Sequence, residues 1–245
     1  MSIPRFHCPT LLAPGAVVSL PPNAAIHASK ALRLQAGDKA ILFNGDCNDY
    51  LCELIAFHKG QVTAKIREVR QSTVESPLKI TLAQAISSGD RMDFTLQKAV
   101  ELGVSAIQPI ASQRSVVKLS AERAEKRREH WQNVVISACE QSGRAVVPEV
   151  APPLPLANWL GSMGTFPLRL TLSPTASGTL HDLEPPTGSI CLLVGCEGGL
   201  TEAEIEMASN NGFQPIKLGR RILRTETAPL AALAAMQTLW GDFKI

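Results

Sequence analysis

The 245-residue chain sets 24 Lys and Arg against 22 Asp and Glu, a formal charge of +2, with 45% hydrophobic and only 4% aromatic residues. That balance allows one large or two smaller folded domains, leaves any nucleic-acid surface to a local patch, and argues against an aromatic platform for stacked single-stranded bases. No apolar run reaches the roughly 18 residues needed to span a membrane, MSIPRFHCPT lacks the apolar core of a signal peptide, and the six cysteines match neither zinc nor redox spacing, so a cytoplasmic protein without a metal is expected.

Residues 1 to about 70 read as a small β-rich domain. Short runs at Ala16–Leu20, Lys39–Phe43, Tyr50–Phe57 and Gln61–Val69 are separated by turn signals at Gly37-Asp38, Asn44-Gly45 and Lys59-Gly60. Such spacing suggests a small barrel. One helix interrupts it over Asn23–Leu34, with Asn23 as a possible N-cap and Ile26, Ala31 and Leu34 facing a core. The basic residues here, Arg5, Lys30, Arg33, Lys65, Arg67 and Arg70, fit either a solvated surface or a face that contacts phosphate.

The polar stretch Gln71–Pro77 reads as a linker, after which the period changes. Leu78–Ile86 is a strand, Asp90–Leu102 a helix and Val104–Ile110 a strand, together a βαβ unit that implies a parallel sheet. Met92, Leu96 and Val100 recur at helical spacing and should face that sheet, with Gly103 at the helix end. Ser112–Lys118, which contains Arg114, follows at the carboxyl end of a strand, where ligand sites of α/β sheets gather. Ser120 caps a long helix through Ser142. The cluster Glu140-Gln141-Ser142-Gly143-Arg144 at its end holds a carboxylate, an amide and a guanidinium, the groups that grip a base edge or a phosphate.

Pro148–Pro155 reads as a connector, Leu168–Leu172 as a short strand ending at Ser173, and Gly178–Gly188 as a loop. Ile190–Val194 is a buried-strand pattern stopped by Gly195-Cys196-Glu197-Gly198-Gly199. Thr201 and Glu204 form a capping box for the next helix, which ends near Asn210-Asn211-Gly212. Pro215–Leu218 runs into Gly219-Arg220-Arg221-Ile222-Leu223-Arg224, and Thr225 or Thr227 caps a last, alanine-rich helix. Glycines at two successive strand ends let a backbone approach a ligand closely. No phosphate loop, dinucleotide fingerprint or nucleophile elbow is present. The three arginines beside Glu226 exceed what a structural junction needs.

VGCEGGLTEAEI, LGRRILRTETA, HASKALRLQAGDKAILFNG, QKAVELGVSAIQPI, RSVVK and HWQNVVISACEQSGR resemble the RsmE family of the SPOUT class of S-adenosylmethionine-dependent RNA methyltransferases. The resemblance covers the whole chain. It implies a PUA-like β-barrel over residues 1–72 and, over 73–245, an α/β domain with a C-terminal trefoil knot. It also implies methylation of N3 of a uridine in 16S ribosomal RNA, the small ribosomal subunit as partner, and a homodimer in which Ala228–Trp240 offers a close-packing face. Another SPOUT methyltransferase acting on transfer RNA or a ribose hydroxyl, or a non-catalytic assembly factor, are the alternatives. The intact cofactor loops speak against the last.

By resemblance the cofactor lies among three loops, involving Leu172, Ser173, Val194, Gly195, Glu197, Gly198, Gly199, Leu218, Gly219, Ile222, Leu223, Thr225 and Thr227. Arg5, Lys30, Arg33, Arg114 and Gln141 are assigned to RNA. Removal of the uracil N3 proton could fall to Glu226, Glu197 or Glu140, with Arg224 or Arg144 stabilising the developing anion. Glu226 could equally serve only as a helix N-terminal carboxylate. Cys196 stands where the family usually has proline, which should loosen that loop slightly, and Pro229 enters the first turn of the last helix, where its missing N–H costs little.

Overall fold

The computed structural model describes residues 3–115 and 121–243, with the side chain of Ala121 excepted. Two compact units emerge: residues up to Glu75 together with Cys139–Val147, and Ser76–Ala138 together with the rest of the chain from Pro148. The expected cap at Ser120, and Val116–Lys118, lie outside the described residues.

The first unit is a five-stranded sheet of β1 (Arg5–His7), β2 (Val17–Ser19), β3 (Lys39–Phe43), β4 (Asn48–His58) and β5 (Gln61–Gln71), in the order β1-β3-β4-β5-β2. Only the β1–β3 pair is parallel. Lys59 and Gly60 join β4 to β5 with φ of 48° and 83°, meeting the demand of a two-residue type I′ hairpin for positive φ at both positions. Alternation buries Ala40 and Leu42, then Tyr50, Cys52 and Leu54, then Val62, Ala64 and Ile66, on one face.

A short helix, α1 (Pro22–Ile26), continues as one π-helical turn through Ala31 and covers this core. Its buried residues are Ala24, Ala25 and Ala28, so the expected face is corrected: Ile26 is 51% exposed, Ala31 is exposed, and only Leu34 packs on the core. Small side chains let the helix lie close to the strands, while Ile26 turns to solvent. The helix begins one residue before Asn23, and no side chain caps it.

The Glu140–Arg144 cluster folds into this first unit. Glu140 accepts the His7 amide at 3.0 Å, and burial raises the pKa of its carboxyl although that hydrogen bond opposes the rise. Arg144 is buried and paired with Glu75 at 2.7 Å, while Glu75 also accepts the amides of Ala145 and Val146. Arg5 is clamped by both oxygens of Asp49 at 2.8 Å, donates to the Arg144 carbonyl and lies 5.2 Å from the centroid of the Phe43 ring.

The second unit is a seven-stranded parallel sheet: β6 (Ile80–Ala85), β7 (Ala106–Ala111), β8 (Glu149–Val150), β9 (Leu154–Pro155), β10 (Leu168–Leu172), β11 (Ile190–Val194) and β12 (Gln214–Ile216). Its order is β12-β10-β11-β6-β7-β8, with β9 also on β7. The proline-rich connector therefore contributes two short strands, each completing carbonyl and amide pairing along β7. All five residues of β11 are buried, which is why a central parallel strand reads as an unbroken apolar run. Helices α2 (Asp90–Glu101), α3 (Ala121–Ser142), α4 (Leu156–Ser162), α5 (Glu202–Asn210) and α6 (Thr227–Leu239) complete the elements, the last residues of α3 belonging to the first unit.

Met92, Leu96 and Val100 are fully buried, as their spacing predicts. Gly103 follows α2 at φ 82°, and a Cβ there would meet Gln237 and Ser76 closer than 3.0 Å. Both arms of the Thr201–Glu204 capping box are formed. The cap of α6 differs from expectation: Glu226 occupies the N-cap without a side-chain bond, and Thr225 is committed elsewhere. Among the described residues no helix is long and apolar enough to cross a membrane.

Candidate active site

Strands β10, β11 and β12 are adjacent and parallel, so the loops after them emerge at the same, carboxyl, edge of the sheet. These loops enclose a cavity of about 460 Å³, within the usual range for small-molecule sites. Its walls include Leu172–Thr175, Val194–Leu200, Ile216–Gly219 and Arg221–Thr225, and every residue of the expected cofactor set lines it except Thr227. The connection from β9 through α4 to β10 carries the strand order to the other side of β6, the kind of switch at which α/β sheets open a crevice.

The loop after β11 is the tightest part. Gly199 donates its amide to the Cys196 carbonyl at 2.8 Å and adopts φ 70°. A Cβ on Gly195 would stand 2.8 Å from both the Gly199 carbonyl carbon and the Leu200 nitrogen, so only glycine leaves the turn in place. The Cys196 thiol is buried, donates to the Gly199 carbonyl and takes the Ser112 hydroxyl at 3.7 Å, so the side chain expected to loosen this loop is itself anchored.

Arg114 lies along this loop. Its guanidinium donates to the Gly198 carbonyl at 2.6 Å, and its methylenes occupy the space beside Gly198. The residue assigned to RNA by resemblance thus forms part of the cavity wall. Buried Glu204 accepts the amides of Gln113 and Thr201, tying the segment after β7 to the start of α5.

Glu197 accepts the amide and hydroxyl of Ser88 at 2.9 and 2.8 Å and the Arg91 guanidinium at 3.0 Å. Burial works against its charge, but the Ser88 amide, its own amide, the Ser88 hydroxyl and Arg91 outweigh that and hold the carboxyl at about 2. Glu226 sits 3.9 Å from the Arg91 Nε, and its Oε2 is buried with no hydrogen-bond partner among the described residues. It does not line the cavity, whereas exposed Arg224 does. Arg220, Arg221 and Arg224 make no ion pair among the described residues, and Ile222 between them is 83% exposed.

Beneath the loops, fully buried Gln84 near the end of β6 gives its amide N–H groups to the Gly195 carbonyl, the Ala85 carbonyl and the Thr225 hydroxyl, at 3.1 to 3.4 Å. The Thr225 hydroxyl in turn donates to Gly195 at 2.9 Å. Three acceptors around the nitrogen fix the orientation of the amide and leave its Oε1 with no hydrogen bond among the described residues. Gln84, Ser88 and Arg91 were not singled out by the sequence. The one available signal was an amide at the end of an otherwise mostly apolar strand.

Of the remaining candidates, Glu140, Gln141 and Arg144 belong to the first unit, where Glu140 and Arg144 are held as described above. Lys30 and Arg33 are exposed on that unit, Arg33 with an unusual φ of 54°, and Arg5 is already paired. Among the described residues no group of three or more His, Cys, Asp or Glu is placed to hold a metal ion.

The RNA methyltransferase domain model matches residues 74–237, and the RNA methyltransferase PUA domain model matches residues 21–67. A Buchnera aphidicola protein named ribosomal RNA small subunit methyltransferase E is 36% identical over 98% of both chains. Its namesake in Bacillus subtilis is 34% identical over 88% of this chain and 89% of the relative. The crystal structure of a ribosomal RNA small subunit methyltransferase E from Neisseria gonorrhoeae, bound to S-adenosyl methionine, superposes with a TM-score of 0.93 at 48% identity, covering 99% of this chain and 100% of that one. The chain belongs to the ribosomal RNA small subunit methyltransferase E family of RNA methyltransferases.

Proposed function

We propose that this protein methylates N3 of a uridine in 16S ribosomal RNA, using S-adenosylmethionine bound in the three-loop cavity. The observation that carries this reading is the cavity itself, formed by the loops at the ends of three parallel strands, with Gly195, Gly198, Gly199 and Gly219 among its walls. Its chemistry fits the cofactor. Leu172, Val194, Ile216 and Leu223 supply apolar walls for the faces of an adenine, while loop amides and carbonyls supply an edge. Gly195 preserves room that any side chain would displace.

S-adenosylmethionine supplies an electrophilic sulfonium methyl, which uracil N3 takes as its N–H bond gives up a proton and the carbon–sulfur bond breaks. The loops orient the reactants, an effect that can account for several kcal/mol of barrier. Arg224, exposed at the cavity and free of a carboxylate partner among the described residues, stabilises the charge that spreads onto the uracil oxygens. Among the carboxylates, Glu197 is held at about 2 and is a weak base at neutral pH. Glu140 is committed to the His7 amide. Glu226, whose Oε2 accepts no hydrogen bond among the described residues and faces the Arg91 guanidinium at 3.9 Å, is the proton acceptor in this reading.

The same reading includes the trefoil knot around these loops, a PUA-like barrel over residues 1–72 that holds RNA, a methyltransferase domain over 73–245, and a cytoplasmic homodimer. Exposed Lys30 and Arg33 support phosphate contact by the first unit. The groove formed by Leu180, Ala235, Thr238 and Leu239 along α6 supports pairing with a second copy. Titration with S-adenosylmethionine by calorimetry tests the reading at its root. Saturable one-to-one binding, competed by S-adenosylhomocysteine, is expected, and the absence of heat and of thermal protection would overturn it.

A further inference from the structure

The loops after β11 and β12 are separated in sequence by two elements, yet both rest on one short segment, the junction of β6 and α2. Gln84 reaches both: its amide meets the Gly195 carbonyl and the Thr225 hydroxyl. Seven residues further along, Arg91 reaches both again, at Glu197 (3.0 Å) and at Glu226 (3.9 Å). Ser88 between them holds the same Glu197 oxygen through its amide and its hydroxyl. The contacts occur in register: Gly195 and Thr225 with Gln84, then Glu197 and Glu226 with Arg91. None of Gln84, Ser88 and Arg91 lines the cavity.

We propose that Gln84 and Arg91 are positioning residues that fasten the two cofactor-facing loops to each other, so that cofactor affinity is set in part by side chains that never touch the cofactor. The inference rests on the cavity being the S-adenosylmethionine site. A loop can move several tenths of an ångström without unfolding the sheet behind it, because the strands carry their own hydrogen bonds. Loops that are loose in the free protein must be ordered by the ligand, and that ordering subtracts from affinity. Two polar fasteners that each bridge both loops remove that requirement. The contacts are charge-assisted at Glu197 and well shielded at Gln84, the two settings in which hydrogen bonds contribute most.

Arg91 is 44% exposed, so Arg91→Ala should leave the fold intact, with a melting temperature close to wild type. It should weaken S-adenosylmethionine binding about tenfold, with Arg91→Lys recovering part of the loss through its charge. If Arg91 acts through Glu197, its removal should matter little once the carboxylate is gone, so Arg91→Ala in a Glu197→Gln background should add less than twofold. Gln84→Leu keeps the volume, removes both contacts and should weaken binding by a similar factor. If that buried variant fails to fold, the Arg91 series decides alone. The measurement is the calorimetric Kd for S-adenosylmethionine, beside thermal unfolding of each free variant. Wild-type affinity in Arg91→Ala, or full additivity with Glu197→Gln, overturns the proposal while the cofactor reading stands. Failure of the wild-type chain to bind overturns both.

Discussion

Gly195→Ala places one methyl group against backbone rather than against a movable side chain. The new Cβ would lie 2.8 Å from the Gly199 carbonyl carbon, 2.8 Å from the Leu200 nitrogen and 2.9 Å from the Gly199 Cα. Ordinary contact requires about 0.6 Å more, and overpacking of this kind costs about 1–3 kcal/mol. The Cys196–Gly199 turn can relieve it by moving into the cavity, because its own closing bond, Gly199 N–H to the Cys196 carbonyl, moves with it. The free protein then keeps most of its stability, and the cost falls on the bound state, which needs the original wall. At about 1.4 kcal/mol per factor of ten, S-adenosylmethionine should bind roughly five- to 150-fold more weakly. Gly198→Ala is the control, since the atoms facing it belong to the flexible Arg114 side chain at 3.1 to 3.2 Å, and its loss should be smaller. Calorimetric titration of both variants, beside thermal unfolding, makes the comparison. Wild-type affinity in a folded Gly195→Ala protein would show that the turn does not wall the cofactor site, as would a larger loss in Gly198→Ala.

Two further outcomes follow from the same geometry. Glu197 has a folded-state carboxyl held at about 2, below its unfolded value near 4.3, so its contribution is present above about pH 4.5 and fades as pH falls toward 2. With the side chain 27% exposed and screened by solvent, that contribution is about 1 kcal/mol. Urea midpoints of wild type and Glu197→Gln should therefore differ at pH 6 and draw together as pH falls toward 2, and a gap near pH 2 as wide as at pH 6 would contradict the assignment. Arg114→Ala removes the 2.6 Å bond to Gly198 and the packing beside it, so it should raise the KM for S-adenosylmethionine several-fold and leave the salt dependence of RNA binding unchanged. A shallower salt slope with unchanged cofactor KM would return Arg114 to the RNA side.

Much of the fold was legible because strong local signals agree with their surroundings. Lys39–Phe43, Leu168–Leu172 and Ile190–Val194 are strands at the residues their patterns mark, the Thr201–Glu204 box caps α5, and α2 buries the stripe its spacing defines. Signals failed where tertiary pairing alone makes the element. β1 is three residues long and exists by pairing with β3, while β8 and β9 are two-residue pieces among prolines, ordered by β7. The face of α1 was misread because alanines fill it, and a hydrophobicity count ranks Ile26 above them.

The candidate site divides along the same line. Glycines at strand ends advertise the loops after β11 and β12, since backbone conformation is a local property. The Leu172-Ser173 loop came only through family resemblance. Gln84, Ser88 and Arg91 are more than a hundred residues away from the loops they hold, and no spacing connects them. Thr225 illustrates the same limit. It stands where a helix cap belongs, but its hydroxyl goes to Gly195, a contact only the folded sheet creates.

Methyl transfer itself is the decisive measurement. Purified protein, S-adenosylmethionine and, separately, intact small ribosomal subunits, naked 16S ribosomal RNA and transfer RNA would be incubated, digested and examined by nucleoside mass spectrometry. 3-Methyluridine in small-subunit RNA is the expected product. Methyl groups confined to transfer RNA or to a ribose hydroxyl, or no transfer by protein that binds the cofactor, would contradict the proposed function.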